Sequence, residues 1–167
     1  DLNCTALAVG PDMVGDAAMD IIIGDSLANG GLGAVYIVDA LETMDIGELL
    51  VDRTALLIEA GGDASGLGQS VVVASNLGLG GPGADLALGA PHSDSGRGAV
   101  YLLDVSDLPG DVNQMTTDTA IGSIVSDDPF HQVGFSLAVT DAFAGLPNSQ
   151  LWIGAFDSNP MVDGGGA

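Results

Sequence analysis

Short apolar runs alternate along the chain with turns rich in Gly, Asp and Pro. The runs fall at Ala6–Val9, Asp20–Gly24, Ala34–Val38 and Thr54–Glu59, then at Gln69–Ala74, Asp85–Gly89, Ala99–Asp104 and Thr119–Val125, and finally at Phe135–Thr140 and Leu151–Gly154. They are too short for typical helices and are rich in Val, Ile, Leu and Tyr, whose side chains suit a pleated surface, so each is predicted to be a strand. Only Leu41–Val51 has a helical look, and Gly47 inside it limits any helix to a turn or two.

The runs repeat. Ile21-Ile22-Ile23-Gly24-Asp25 returns as Leu86-Ala87-Leu88-Gly89-Ala90 and as Leu151-Trp152-Ile153-Gly154-Ala155, at intervals of 65 residues. A second marker, Gly33-Ala34-Val35-Tyr36, returns in the same register as Gly98-Ala99-Val100-Tyr101. Two motifs in one register indicate a repeated supersecondary unit that buries its apolar face against its neighbours. The units run over about 1–65, 66–130 and 131–167, forming one domain. Each full unit holds four strands, and the first two are apolar almost without interruption, so both of their faces are expected to be covered. Four-stranded antiparallel sheets stacked face to face around an axis meet that need. The predicted fold is therefore all-β, built of β-propeller blades. A solenoid usually has shorter coils, and a sandwich leaves the period unexplained. The glycines at 24, 89 and 154 close the second strand of each unit, and Gly33 and Gly98 open the third, where close backbone approach or positive φ is expected.

Composition narrows the reading. With 47% apolar residues the chain has material for a core, and no apolar run is long enough to cross a membrane as a helix. It carries 23 acidic residues against two arginines and no lysine, a net charge of −21. Twenty of the acids are Asp, a turn residue whose short carboxylate bonds nearby backbone N–H groups, so the charge belongs in the loops. Nucleic-acid binding is excluded, because no basic patch exists to displace counterions. Cations are the natural partners, and a hydrated acidic surface in salty surroundings is an equal use of the charge. Cys4 is the only cysteine, so no internal disulfide forms.

The ordered motifs resemble an FG-GAP repeat, the blade unit of integrin α-subunit propellers and of many bacterial secreted proteins. Leu67-Gly68-Gln69-Ser70-Val71-Val72-Val73, Asp85-Leu86-Ala87-Leu88-Gly89-Ala90-Pro91 and Gly98-Ala99-Val100-Tyr101-Leu102-Leu103 carry the resemblance in the second unit. Val133-Gly134-Phe135-Ser136-Leu137-Ala138-Val139 with Leu151-Trp152-Ile153-Gly154-Ala155 carries it in the third, and Ala6-Leu7-Ala8-Val9 with Asp20-Ile21-Ile22-Ile23-Gly24 in the first. Asp25 stands where the family has Ala, Phe156 where it has Pro, and Cys4 where it has Gly. The resemblance implies an extracellular or cell-surface binding module that holds protein or glycan ligands. The last unit stops at Gly164-Gly165-Gly166-Ala167, where its Gly-Ala-Val-Tyr strand is due, so about two and a half blades are expected, completed by further blades or other subunits.

FG-GAP blades often carry a calcium loop between their first two strands, and the resemblance places one in the first unit. Asp12, Asp16 and Asp20 fall on ligand positions one, five and nine, Gly15 makes the turn, and Ala18 offers its backbone carbonyl at position seven. Calcium takes roughly six to eight oxygens, which alternate carboxylates on a curled loop supply; Val14 at position three leaves a place for water. The sister loops lack the set: 76–85 keeps only Asp85, and 141–150 has Gln150 at position nine. No calcium is expected in either.

Catalysis is not expected. His92 lies in Pro91-His92-Ser93-Asp94-Ser95-Gly96 beside a hydroxyl and a carboxylate, but adjacency in a turn does not supply convergent geometry. His131 reads as a junction residue, Tyr101 and Trp152 as core or inter-blade packing, and Arg53 and Arg97 as local partners of Asp. Two other functions fit the same pattern: a structural protein whose repeats self-assemble into a surface layer or filament, and an accessory part of a larger secreted hydrolase.

Overall fold

A computed structural model describes residues 2–13, 19–39, 54–62, 64–80, 83–105, 114–140 and 148–156. The chain is all-β, in three sheets that follow the 65-residue frame. The first contains β1 (Ala6–Gly10), β2 (Asp20–Asp25), β3 (Ala34–Asp39) and β4 (Thr54–Glu59), each antiparallel to the next. The second holds β5 (Ser70–Ala74), β6 (Asp85–Ala90), β7 (Ala99–Asp104) and β9 (Gly122–Val125) in the same up-and-down order. The third consists of β10 (Val133–Thr140) and β11 (Gln150–Ala155), with a bulge between Val133 and Ser136. No sheet closes on itself among the described residues.

One predicted strand is placed differently. Thr119–Val125 is not a single strand: the chain leaving the second sheet first forms β8 (Gln114–Thr116), which pairs parallel with β4, then a 3-10 turn at Thr117–Thr119, and only then β9. The detour covers the outer edge of the first sheet, whose backbone groups would otherwise be open to any passing strand. Buried Thr117 anchors it by accepting the Gly61 N–H at 2.9 Å. Apolar periodicity cannot register this pairing, because the partner lies far away in sequence. Leu41–Val51 and Arg53 fall outside the described residues.

Register defines two faces for every sheet. In the first, Leu7, Ile23, Tyr36 and Leu57 share one face, while Ala8, Ile22, Ile37 and Leu56 share the other. The second set packs on Val71, Leu86, Leu88 and Leu103 of the second sheet to form the main core. The first strands of neighbouring sheets touch, β1 against β5 and β5 against β10. Each sheet thus has a leading face of branched residues, turned toward the preceding unit. Its trailing face, turned toward the next, carries Ala6 and Ala8 on the first strand of the first sheet and Ser70 and Val72 on that of the second.

The glycines closing the second strands set the distance between sheets. A Cβ at Gly24 would lie 2.1 Å from the Gly68 carbonyl oxygen, and one at Gly89 would lie 2.1 Å from that of Gly134. Backbone cannot yield as a side chain does, so only Gly fits there. A repeated seam runs beside this contact. Gly66 and Leu67 donate their N–H groups to the carbonyls of Gly31 and Leu32 at 2.9 and 3.0 Å, and Gln132 and Val133 donate to Gly96 and Arg97 at 3.2 and 3.0 Å.

Trp152 is not core. It is 59% exposed, although its counterparts 65 residues apart, Ile22 and Ala87, are fully buried. The physical reason is position: those two face a following sheet, and among the described residues nothing follows the third. Tyr101 is half-buried and packs against the main core.

Candidate functional site

The β1–β2 loop places two of its four candidate ligands. Asp20 opens β2, is fully buried, and accepts the Met13 N–H on Oδ2 at 2.6 Å, drawing the start of the loop over the strand end. Asp12 precedes Met13 and is exposed. Asp16 and Ala18 lie outside the described residues. Among the described residues no three His, Cys, Asp or Glu side chains converge as a metal site. The donor chemistry of the described residues nevertheless fits a hard cation: Asp12 and Asp20 bring carboxylates to the two ends of the loop, and Asp20 is held by a backbone donor.

The second unit shows what the position-nine carboxylate does without a ligand set around it. Asp85 is buried, and its Oδ2 accepts the Leu77 N–H. Burial pushes its carboxyl above the usual carboxylate range, the negative charge of Asp104 adds to this, and the Leu77 and Leu79 N–H groups oppose it. Asp104 stands directly opposite on β7, as Asp39 stands opposite Asp20 on β3. In the third unit Gln150 occupies the position, and its Nε2 donates to the Asn148 carbonyl at 3.0 Å. The residue that opens the second strand therefore fastens the preceding loop in all three units, whatever else the loop carries. The loops of units two and three also touch: the Ser149 N–H donates to the Asn76 carbonyl at 2.7 Å, and the Ser75 and Ser149 hydroxyls are 3.1 Å apart.

The polar residues around His92 serve the junction between units. The His92 N–H donates to the Ser65 carbonyl at 3.2 Å, and buried Ser93 accepts the Ser65 N–H on Oγ at 3.0 Å. Arg97 pairs with Asp94 at 3.1 Å, both half in solvent, worth about 0–1 kcal/mol. His131 Nδ1 lies 3.0 Å from Ser126 Oγ, and its Nε2 lies 3.8 Å from Asp128 Oδ2, beyond hydrogen-bond reach. All three side chains sit on an exposed turn, and Ser126 Oγ already accepts the Asp128 N–H. That is turn geometry, without the enclosed setting a nucleophile and base require.

Three residues with structural work stand outside the sequence expectation. Thr5 and Ser70, 65 residues apart, send hydroxyls into the next unit: Thr5 Oγ1 lies 2.9 Å from the Gly68 carbonyl oxygen, and Ser70 Oγ donates to that of Gly134 at 2.8 Å. Their recurrence at the period was the available signal. Asp25 explains its own departure from Ala. Its Oδ1 accepts the Leu27 and Ala28 N–H groups at 3.1 and 3.0 Å, and its Oδ2 accepts that of Asn3 at 2.9 Å. It thereby caps the turn after β2 and ties down the N-terminal segment.

Comparison with known proteins does not extend this picture: no protein-family model matches the chain, and no curated protein matches it. The fold and site define an all-β repeat protein with an acidic loop at one end of its sheets.

Proposed function

We propose that the chain is a non-catalytic binding module of FG-GAP type, part of a β-propeller that works outside the cell and holds a protein or glycan ligand on its loops. The observation that carries this reading is the stacking of successive sheets first strand on first strand. Such stacking gathers the loops between first and second strands at one end of the stack, as the Asn76–Ser149 contact illustrates. Loops borne on a rigid scaffold are where binding residues concentrate. Calcium on Asp12, Asp16, Asp20 and the Ala18 carbonyl would cross-link the first of these loops and offset its carboxylate repulsion.

Calorimetric titration with calcium tests the metal half, paired with melting in chelator and with the Asp16→Asn variant. The expected result is heat of binding and a raised melting temperature in the parent chain, both weakened in the variant. No heat and no shift would sink the calcium reading and leave an acidic loop closed by Asp20 alone.

A further inference from the structure

The turn between β2 and β3 holds the only Asn-Gly pair of the chain, Asn29-Gly30. Both residues are exposed, and both stand in the left-handed region, at φ of 53° and 76°. A Cβ on Gly30 would have nothing within 4 Å, so the peptide after Asn29 is open to solvent. The Asn29 Nδ2 donates to Glu59 Oε1 at 3.1 Å, and Gln114 Nε2 donates to Oε2 of the same carboxylate. Glu59 thus takes one amide from the turn of its own unit and one from β8, the segment of the second unit that covers β4. The same turn carries the seam to the second unit, since the Gly31 and Leu32 carbonyls accept the Gly66 and Leu67 N–H groups.

One period of 65 residues later, the charges are arranged the other way. Asp94 stands at the place of Asn29, Arg97 at that of Leu32 and Ile124 at that of Glu59. Asp94 has the same left-handed backbone, at φ of 48°, and its carboxylate pairs with Arg97 at 3.1 Å. In the second unit a carboxylate at this turn position has a cation beside it. In the first unit the position holds an amide that faces an acid. A carboxylate there would face Glu59, with uncharged, exposed Leu32 where the second unit has its arginine.

We propose that Asn29 is a site of spontaneous deamidation, and that loss of its amide unlatches the turn from Glu59 and loosens the junction between the first two units. The chemistry needs only water. The Gly30 backbone nitrogen attacks Asn29 Cγ and a C–N bond forms. The Cγ–Nδ2 bond breaks, and ammonia leaves with the proton of the Gly30 nitrogen. Water then opens the cyclic imide at either carbonyl. One opening leaves aspartate; the other leaves isoaspartate, with the main chain routed through Cβ and Cγ. Asparagine is a thermolabile residue, and Gly30 favours the first step. Without a side chain it neither shields its nitrogen nor restricts the rotation that brings that nitrogen to Cγ. Either product replaces a donor by a carboxylate that only accepts, so the bond to Glu59 is lost and two like charges meet. Isoaspartate also lengthens the main chain just before the Gly31 and Leu32 carbonyls that the seam uses.

Peptide mapping by mass spectrometry, after the folded 167-residue chain is held at mildly alkaline pH, tests the site. The expected result is conversion at Asn29 to both aspartate and isoaspartate, at least about tenfold faster than at Asn3, Asn76 or Asn148, whose following residues carry side chains. The melting temperature falls in step with the converted fraction. Asn29→Gln keeps an amide but would have to close a larger ring, so it holds its own melting temperature through the same treatment. Conversion spread evenly over the asparagines, or none at Asn29, overturns the site. Two variants test the latch without waiting for the chemistry. Asn29→Asp is expected to melt about 1–3 °C below the parent at low salt. Asn29→Asp combined with Leu32→Arg copies Asp94 and Arg97 and is expected to recover that loss. An Asn29→Asp chain that melts with the parent refutes the latch to Glu59, and so does a double variant that melts as low as the single one.

Discussion

Leu7 and Val71 hold equivalent places in strand register, yet one is mostly in water and the other is buried. Their own strands do not cause the difference. Both sit on first strands, both point to leading faces, and both pair with an apolar residue of the second strand, Ile23 and Leu88 respectively. What differs is the neighbour: the second sheet has the trailing face of the first against it, and among the described residues the first sheet has nothing there. In a repeat protein, stability is close to a sum of unit terms and junction terms, so one residue type at one register position can carry a large energy or almost none.

That contrast can be broken most severely at the closing glycines. Gly24→Ala forces a Cβ onto the Gly68 carbonyl and is expected to abolish cooperative unfolding, because neither backbone can give. Gly154→Ala, the same change in the last unit, crowds only the Ser136 hydroxyl, which can rotate, and meets the Ser136 backbone carbonyl at an ordinary 3.4 Å, so it is expected to fold with a small loss. Urea denaturation followed by circular dichroism separates them, and similar losses for both would refute the junction argument.

Next in size is the apolar pair. Leu88→Ala removes a fully buried side chain from the main core and should cost about 2–5 kcal/mol. Leu7→Ala should change stability by no more than about 0.5 kcal/mol in dilute, low-salt solution. A shift in the denaturation midpoint as large for Leu7→Ala as for Leu88→Ala would mean that the first sheet's leading face is covered in solution.

Smaller effects distinguish the two turns. Asp25→Ala should cost about 1–2 kcal/mol, since three backbone N–H groups lose their acceptor. The matching turn of the second unit has Asp94 and Ser95 at φ of 48° and 60°, where the first unit has Asn29 and Gly30. Side chains resist that left-handed region, so Ser95→Gly should stabilise the second unit by about 0.5–1 kcal/mol, read as a raised melting temperature.

The smallest effect concerns the strand-opening carboxylates. Asp85 titrates above its ordinary value in the folded chain, chiefly through burial. The folded state therefore holds this proton more tightly than the unfolded state, and the group's contribution to stability grows as pH falls through its folded value toward the ordinary carboxylate value. At neutral pH the charged form is a liability. Asp85→Asn keeps an acceptor for Leu77 while removing that charge and its repulsion with Asp104. The variant should be at least as stable as the parent at pH 7, with the advantage shrinking on acidification, as urea midpoints across the pH range would show. An advantage that instead grew as the pH fell would contradict the assigned direction.

Much of this was legible along the chain. Alternation of short apolar runs with Gly and Asp turns predicts strands, and the 65-residue recurrence of Gly24 and Gly33 predicts like units packed through close backbone contact. The candidate loop was legible as an acidic spacing, and Asp20 does sit buried at its base. Two things were hidden by their non-local nature. Residues 114–116 pair with a strand of another unit, and no local pattern encodes a partner that distant. Trp152 has the sequence context of a core residue and lies at the surface, since burial depends on whether another sheet arrives to cover it.

The sequence by itself therefore determined most of the strands and the period, because backbone sterics, turn chemistry and apolar patterning act over a few residues. Only the tertiary structure decided which sheet faces are core and which are surface, because burial belongs to a pair of sheets and not to either one.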